Sequence, residues 1–422
     1  PTQCQDNYYD ITKQIEDGCE YYCITSNNSI EKCDYKDNNC DGEIDEIFSL
    51  ESDPNNCGSC GNVCDFSYIN ANAECRSSEC IMTDCMEDFL NKDGDDVNGC
   101  ESKTIHVDNN ADISHCTSSD GTSLCPYQNI TYAISQAYPN DEIFIHAGTY
   151  NRVNSVSIDV NELTVYGAGN TDTIIVGNHN KSNVSINAND ILIYDLAISG
   201  GTNGIYLDGN SNITIRNVNI SDQVGANGED GYYSYENGSA GSRANGIFIK
   251  DGADIIIQDN IITNITAGDG GKGSNCSHGG AGGSSTGLRI FRSSTISIAA
   301  NKITNINGGN GGDGGASLLN TCTLGIGGKG GNATGIFFGG YDASASNNIL
   351  AKIIGGNSGQ DSNSATLSLN ELSGTAIGIC VSDSSFETMI TNNTIFGVLG
   401  SNQSGITSGV FNSYEATSTI IN

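Results

Sequence analysis

One eight-residue pattern returns five times along the chain: ITIRNVNI at Ile213–Ile220, IIIQDNII at Ile255–Ile262, ISIAANKI at Ile296–Ile303, ASASNNIL at Ala343–Leu350 and TMITNNTI at Thr388–Ile395. A unit this short cannot bury its own apolar face, so the units must stack, and the repeat constrains the fold more than any other feature. Superposing them gives two apolar columns. One stacks Ile193, Ile215, Ile257, Ile298, Ala345 and Ile390; the other stacks Ile198, Ile220, Ile262, Ile303, Leu350 and Ile395. Between them Asn260, Asn301, Asn348 and Asn393 fall in register. A buried Asn column is expected to cap the backbone of successive turns and to hydrogen-bond up the stack. The shortest turn is 22 residues, from Ile193 to Ile215.

Each unit follows a Gly-Ile-like strand: GIYLDG from Gly204, GIFIKDG from Gly246, GLRIFRS from Gly287, GIFFGG from Gly335 and AIGIC from Ala376. The length that later turns gain always lies at one corner, after the second apolar column. It gives Asp222–Ala244, Ala267–Thr286, Asn307–Thr334 and Gly355–Thr375. Three of these insertions are rich in Gly-Gly-x. They read either as flexible loops or as stacked polyproline-II strands, since glycine admits close backbone approach. Cys276 and Cys322 sit in neighbouring insertions and are the natural disulfide pair. Cys116 and Cys125 are expected to close one loop, which leaves Cys380 over. Tyr232, Tyr233 and Tyr235 in the first insertion are expected to pack that loop onto the ladder, although they also suit stacking on sugar rings.

Upstream, NITYAISQAY places Ile130, Ala133, Ile134, Ala137 and Tyr138 at helical spacing, so a short amphipathic helix is expected over Asn129–Tyr138, ended by Pro139. Strand-like runs rich in Ile, Val and Thr follow, beginning with EIFIHAGTY. This stretch resembles the opening of right-handed parallel β-helices of the pectin-lyase-like type. The resemblance implies that the helix plugs the open end of the coil, and it implies no activity. The expected fold is all-β: a right-handed parallel β-helix over residues 103–422 with Gly-rich insertions, preceded by a small disulfide-rich, calcium-binding domain over residues 1–102.

The chain has 422 residues, a net charge of −33 and 17 cysteines. Such acidity argues against nucleic acid or anionic membrane as partners, which need clustered Lys and Arg, and fits divalent cations or a soluble secreted protein. No run of about 18 apolar residues is present to span a membrane, and Pro1 reads as a mature or trimmed start. The cysteine content implies an oxidising compartment. Twelve of the cysteines precede Ser102, and that shift in composition sets the domain boundary. So few apolar residues lie before it that disulfides and ions must hold the segment together.

Two loops there carry oxygen ligands at alternate positions, the pattern of calcium sites. In the first, Asp37, Asn39 and Asp41 occupy positions 1, 3 and 5, Gly42 the turn, Glu43 a carbonyl position and Asp45 position 9. Phe48 stands where a closing Glu is usual, and Glu46 is the substitute. In the second, Asn91, Asp93 and Asp95 alternate. Both also read as solvated acidic turns. The C-x-x-C at Cys57–Cys60 is expected to form disulfides instead of a zinc or redox pair, because Cys64, Cys75 and Cys80 lie close by. CDGEIDE resembles an element of MopE-like metal-binding proteins. DPNNCGSCGNVC followed by DCMEDFLNKDGDDVNGCE resembles cysteine-rich modules of secreted bacterial surface proteins. These resemblances imply an exported, calcium-associated module and no reaction.

Catalysis finds little support. The paired Asp, G-H-G and R-I-K elements of polygalacturonases are absent, and His278 lies in Ser-His-Gly-Gly. Asn170-Thr171-Asp172 spells one family motif but falls in a turn. Arg216, Arg289 and Arg292 lie on rungs near Asp195, Asp208 and Asp259 without sharing one column. The expectation is a secreted structural or adhesive protein, a protomer of a cell-surface fibre or layer, and not an enzyme. Its expected partners are further copies, joined head to tail at the uncapped coil end with Cys380 as a spare thiol, or a cell-surface polysaccharide. The alternative is a lyase or hydrolase acting on an acidic polysaccharide. A groove of clustered Asp and Arg on the face opposite the insertions would favour the enzyme, and a flat Asn, Ser and Thr face the scaffold.

Overall fold

The computed structural model describes residues 3–14, 16, 18–151, 155–178, 181–233, 235–316, 325–362, 374–382, 388–401, 407–412 and 418–421. The chain divides into two compact units, Pro1–Lys103 and Thr104–Asn422.

The first unit has little regular structure. Its largest element is an antiparallel hairpin of Ala71–Arg76 and Glu79–Cys85. Six disulfides hold it: Cys4–Cys19, Cys23–Cys40, Cys33–Cys60, Cys57–Cys75, Cys64–Cys80 and Cys85–Cys100. Cys57 and Cys60 thus go to different partners.

The second unit is a parallel β-helix with three faces. The first face runs from Glu142–Ile145 through Thr164–Gly167, Ile191–Tyr194, Ser211–Arg216 and Ala253–Gln258 to Thr388–Thr391. The second face is an eight-stranded sheet that includes Asn219–Ser221, Ile261–Thr266, Lys302–Asn307, Ile349–Ile354 and Thr394–Leu399. The third includes Ser182–Ile186, Asn203–Asp208, Ala244–Lys250 and Ala376–Val381; Ser285–Ala299 and Ala333–Ser346 each run from the third face into the first.

Period 2 on each strand and a fixed register between rungs send every second side chain inward onto its like. On the first face Ile193, Ile215, Ile257, Ile298, Ala345 and Ile390 stack in register, and on the second Ile198, Ile220, Ile262, Ile303, Leu350 and Ile395. A third column stacks Val184, Ile205, Ile247, Leu288, Ile336 and Ile379. These columns form one continuous core.

The corner between the first and second faces is a two-residue turn. Its first residue is left-handed at Asn217, Asp259, Ala300, Asn347 and Asn392. Its second is Val218 on the first of these turns and Asn on the other four, buried at Asn260, Asn301 and Asn348. The Nδ2 of Asn260 donates to Asn301 Oδ1 (2.9 Å), that of Asn301 to Asn348 Oδ1 (3.0 Å) and that of Asn348 to Asn393 Oδ1 (2.9 Å). Each amide also reaches a strand carbonyl on the preceding rung.

The helix that covers the start of the coil is Ile130–Ser135, shorter than the expected Asn129–Tyr138. Asn129 caps it by accepting from Tyr132 N, and the backbone leaves the helix at Gln136, ahead of Pro139. Ile130, Ala133 and Ile134 are buried in the core, while Tyr138 is exposed.

Candidate functional site

The corner between the second and third faces carries the insertions, and they form an ordered layer. Outgoing strands of successive rungs run parallel: Gly228 N donates to Asp269 O, Gly270 N to Asn310 O and Gly311 N to Asn357 O, at 2.7–2.8 Å. Returning strands repeat this with Gly238 to His278 and Gly279 to Ile326. The outgoing and returning sets bond to each other every third residue, as Gly268 to Ser242 and Gly271 to Ser239. Three-residue periodicity without strand pairing is polyproline-II packing. Chain approach explains the glycines: a Cβ on Gly312 would lie 1.9 Å from Gly271 O, and one on Gly280 1.8 Å from Ser239 O. The residues between them form polar ladders. Asn227 Oδ1 accepts Asp269 N, Asp269 Oδ1 accepts Asn310 N, and Asn310 Oδ1 accepts Asn357 N. Cys276 is disulfide-bonded; Cys322 lies outside the described residues.

The expected packing of the insertion tyrosines onto the ladder does not occur. Tyr232, Tyr233 and Tyr235 stand 87 %, 73 % and 70 % exposed at the tip of the first insertion. The Glu236 carboxylate takes the N–H groups of both Tyr232 and Tyr233 (2.9 Å each), and Ser274 Oγ donates to Tyr233 O, so the backbone clamps the turn and leaves the rings outside.

The third face carries the most distinctive chemistry. Tyr206, Phe248, Arg289, Phe337, Cys380 and Phe411 form one outward column in register. The Arg289 guanidinium lies 5.1 Å from the Phe248 ring and 5.6 Å from the Phe337 ring, a cation held between two π faces. Its Nε is buried without an acceptor. Burial, and then the neighbouring Arg243 charge, pull its pKa below the ordinary arginine value. Neither Arg243 nor Arg289 forms an ion pair among the described residues. Cys380, beside Phe337, is a free, buried thiol whose pKa burial pushes up to about 11.

At the next corner the structure joins charges that the sequence spacing keeps apart. Lys250 Nζ lies 2.5 Å from Asp208 and 3.7 Å from Asp251, and Arg292 lies 2.6 Å from Asp251. The Tyr206 hydroxyl donates to Asp208 (3.0 Å). The hydrogen bond from Lys250 holds the Asp208 carboxyl low, and Asp208 in turn raises the Lys250 amine. Each carboxylate is therefore committed to a cation. Aligning GIYLDG, GIFIKDG and GLRIFRS places Tyr206, Phe248 and Arg289 in one column, and that is the signal in the sequence for this site.

The first face lies opposite the insertions. Thr214, Ile256, Ser297 and Ser344 make one outward column, and Arg216, Gln258, Ala299 and Ser346 the next. Arg216 sits 4.3 Å over the Tyr194 ring. Phe144, Tyr166 and Tyr194 stack on one another at 5.0 Å, which covers their faces and leaves mainly edges outward. Asn170–Asp172 lies in the turn between the first and second faces, as the sequence suggests.

In the first unit, Asp37 is buried and accepts the N–H groups of Cys40, Asp41 and Gly42. Burial raises its carboxyl pKa, but the Gly42 N–H, the Tyr21 hydroxyl and the Cys40 and Asp41 N–H groups outweigh that and hold it below the usual range. Asn39 Nδ2 lies between Asp41 (3.1 Å) and Glu46 (2.9 Å), a donor placed where a cation would bridge two carboxylates. Asp41, Asn39 and Glu46 thus converge. Asp45 turns elsewhere, its carboxylate taking Asp34 N and Tyr35 N, while Glu43, expected to offer its carbonyl, donates its N–H to Asp41 (3.0 Å). Glu31, missed by spacing because it precedes the motif, is buried and organises the loop by accepting Asn38 N, Asn39 N and Asp45 N. In the second loop Asn91 accepts Gly94 N, Asp93 accepts Asp95 N and Asp95 accepts Val97 N. Glu101 takes the N–H groups of Lys92 and Asp93. Among the described residues, the groups of three potential metal ligands all include disulfide cysteines.

Solved structures show a low likeness to this chain. It is similar to an alginate lyase from Paenibacillus sp. str. FPU-7 at 16 % identity, over 76 % of this chain and 99 % of that one, with a TM-score of 0.32. It is similar to the pectate lyase Pel9A at 14 % identity, over 76 % and 78 %, with a TM-score of 0.33. It is similar to a rhamnogalacturonan lyase at 10 % identity, over 76 % and 84 %, with a TM-score of 0.31. At these identities and TM-scores the likeness carries neither a fold nor an activity across. No protein-family model matches the chain, and no curated protein does.

Proposed function

We propose that this chain is an extracellular structural and adhesive protein, a protomer of a surface layer or fibre, that grips an acidic polysaccharide along the third face without cleaving it. The observation that carries this reading is Arg289. A half-buried guanidinium between two phenyl rings, beside a second arginine and without a carboxylate partner, is an unbalanced arrangement in a chain of net charge −33. A carboxylate or sulfate on a sugar chain supplies the missing anion, and the ring edges of the aromatic column supply apolar contact beside it. The acids nearby, Asp208 and Asp251, are bound to Lys250 and Arg292. They are poor general bases in that state, which favours adhesion over lyase chemistry.

The test is retention on immobilised acidic polysaccharides compared with neutral ones. Binding should need the acidic polymer, weaken with salt and fall at least tenfold in Arg289→Ala. Equal retention of both variants refutes the assignment.

Calcium belongs to the same proposal. Asp37, Asn39, Asp41 and Glu46 of the first loop, with Asn91, Asp93 and Asp95 of the second, are hard oxygen donors suited to it. Self-association is the second partnership, favoured by Phe396 and Leu399, which stand 55 % and 56 % exposed on the second face. Seven disulfides mapped between described residues fit an oxidising exterior, and no described helix is long and apolar enough to cross a membrane.

A further inference from the structure

His106 and His146 meet at the start of the first face. His106 pairs in register with Phe144, and His146 follows the strand Glu142–Ile145 directly. His106 Nδ1 lies 3.0 Å from His146 Nε2. The surroundings hold both rings. The Phe144 ring is edge-on to His106 at 5.6 Å and 4.5 Å from His146. His106 N donates to Gly121 O and its carbonyl accepts Tyr127 N; His146 N donates to Val107 O, and its carbonyl accepts the Tyr150 hydroxyl. Burial, followed by the His106 neighbour, lowers the His146 pKa, while Asp108 opposes this. The two rings thus turn one nitrogen each toward a common point, and a metal ion entering there displaces the single proton they share.

Two imidazole nitrogens bound to one tetrahedral zinc at 2.0–2.1 Å are about 3.3 Å apart. The observed separation needs to open by only a few tenths of an ångström, within rings already turned toward each other. We propose that His106 Nδ1 and His146 Nε2 are the protein ligands of a site for a borderline transition cation such as Zn²⁺, with water or an oxygen of a bound molecule completing the coordination. The site differs in kind from the acidic loops of the first unit. Those offer oxygen to hard cations, whereas imidazole selects zinc, nickel or copper. The negative field of the chain raises the local concentration of any such ion.

The experiment uses the full chain, stripped of metal by a chelator and returned to saturating calcium at neutral pH so that oxygen sites are filled. Zinc is titrated by calorimetry and copper by electron paramagnetic resonance. One zinc per chain is expected, with affinity lowered at least about tenfold in both His106→Gln and His146→Gln and unchanged in the exposed control His115→Gln. The copper spectrum should show coupling to two nitrogens in the parent and to fewer in either variant, and circular dichroism of the variants should match the parent. Zinc affinity equal in parent and both variants, or no zinc binding in the parent at millimolar concentration, overturns the proposal and leaves an imidazole–imidazole hydrogen bond.

Discussion

Replacing Asn301 by alanine should cost more than any other single side-chain truncation in the turn ladder. Its Oδ1 accepts Asn260 N at 3.0 Å and Asn260 Nδ2 at 2.9 Å, and its Nδ2 donates to Ile257 O, Ala299 O and Asn348 Oδ1 at 2.9, 3.0 and 3.0 Å. All five bonds go, and the site is closed to water, since Asn260, Asn301 and Asn348 are at most 1 % exposed. The Asn260 N–H is then buried without its acceptor. Asn260 Nδ2 keeps only Ile215 O. At about 1–3 kcal/mol per orphaned buried group, two such groups give a loss of roughly 3 kcal/mol. The comparison is Asn187→Ala, which removes two side-chain hydrogen bonds, to Ser157 and Asp159, on the exposed surface. Water replaces those, so the loss there should stay near 0.5 kcal/mol. The assay is the shift in guanidinium midpoint at unchanged slope. If Asn301→Ala is no more destabilised than Asn187→Ala, the ladder does not carry the weight assigned to it.

In the insertion layer, Gly312→Ala should break local protection, because its Cβ meets Gly271 O at 1.9 Å, whereas Gly209→Ala meets nothing within 4 Å and strains only a φ of +80°. Hydrogen exchange should show fast amides at Gly280, Gly312 and Gly328 in the first variant alone. Chelation of calcium should lower the thermal stability of the first unit with its disulfides intact; an unchanged melt counts against a bound ion. That unit should also weaken in acid. The Asp37 carboxyl is depressed in the folded state, so its stabilisation is present above the unfolded value of about 3.9 and is lost as pH falls below it; a flat acid profile in the parent, or the same profile in Asp37→Asn, speaks against this. Cys380, with its thiol pushed up to about 11, should alkylate at least a hundredfold more slowly at mildly alkaline pH than an ordinary thiol, and rapid labelling of the native protein would contradict its burial.

Much of the coil can be read from the sequence because its logic is periodic. Ile215, Ile257 and Ile298 recur at a fixed place in each unit, and parallel register then leaves one possible stack. The Asn column, the Cys116–Cys125 bridge and the leftover Cys380 follow from the same alignment or from counting. Local competition among bonds is harder to read. Asp45 fits a ligand position by spacing yet is drawn to Asp34 N and Tyr35 N. Tyr232 and Tyr233 look like packing groups until Glu236 fixes their backbone in an outward turn. The ion cluster joins Asp208, Lys250, Asp251 and Arg292 from three rungs separated by insertions of unequal length, and spacing along the chain does not bring them together.

The third face is proposed to hold a polysaccharide without cutting it. Acidic polysaccharides that the protein retains should be incubated with it for long periods, with calcium and with zinc, and their molar mass followed by light scattering. The polymer should keep its length and be released intact by salt. Progressive loss of molar mass, abolished in Arg289→Ala, would contradict it and make the chain an enzyme.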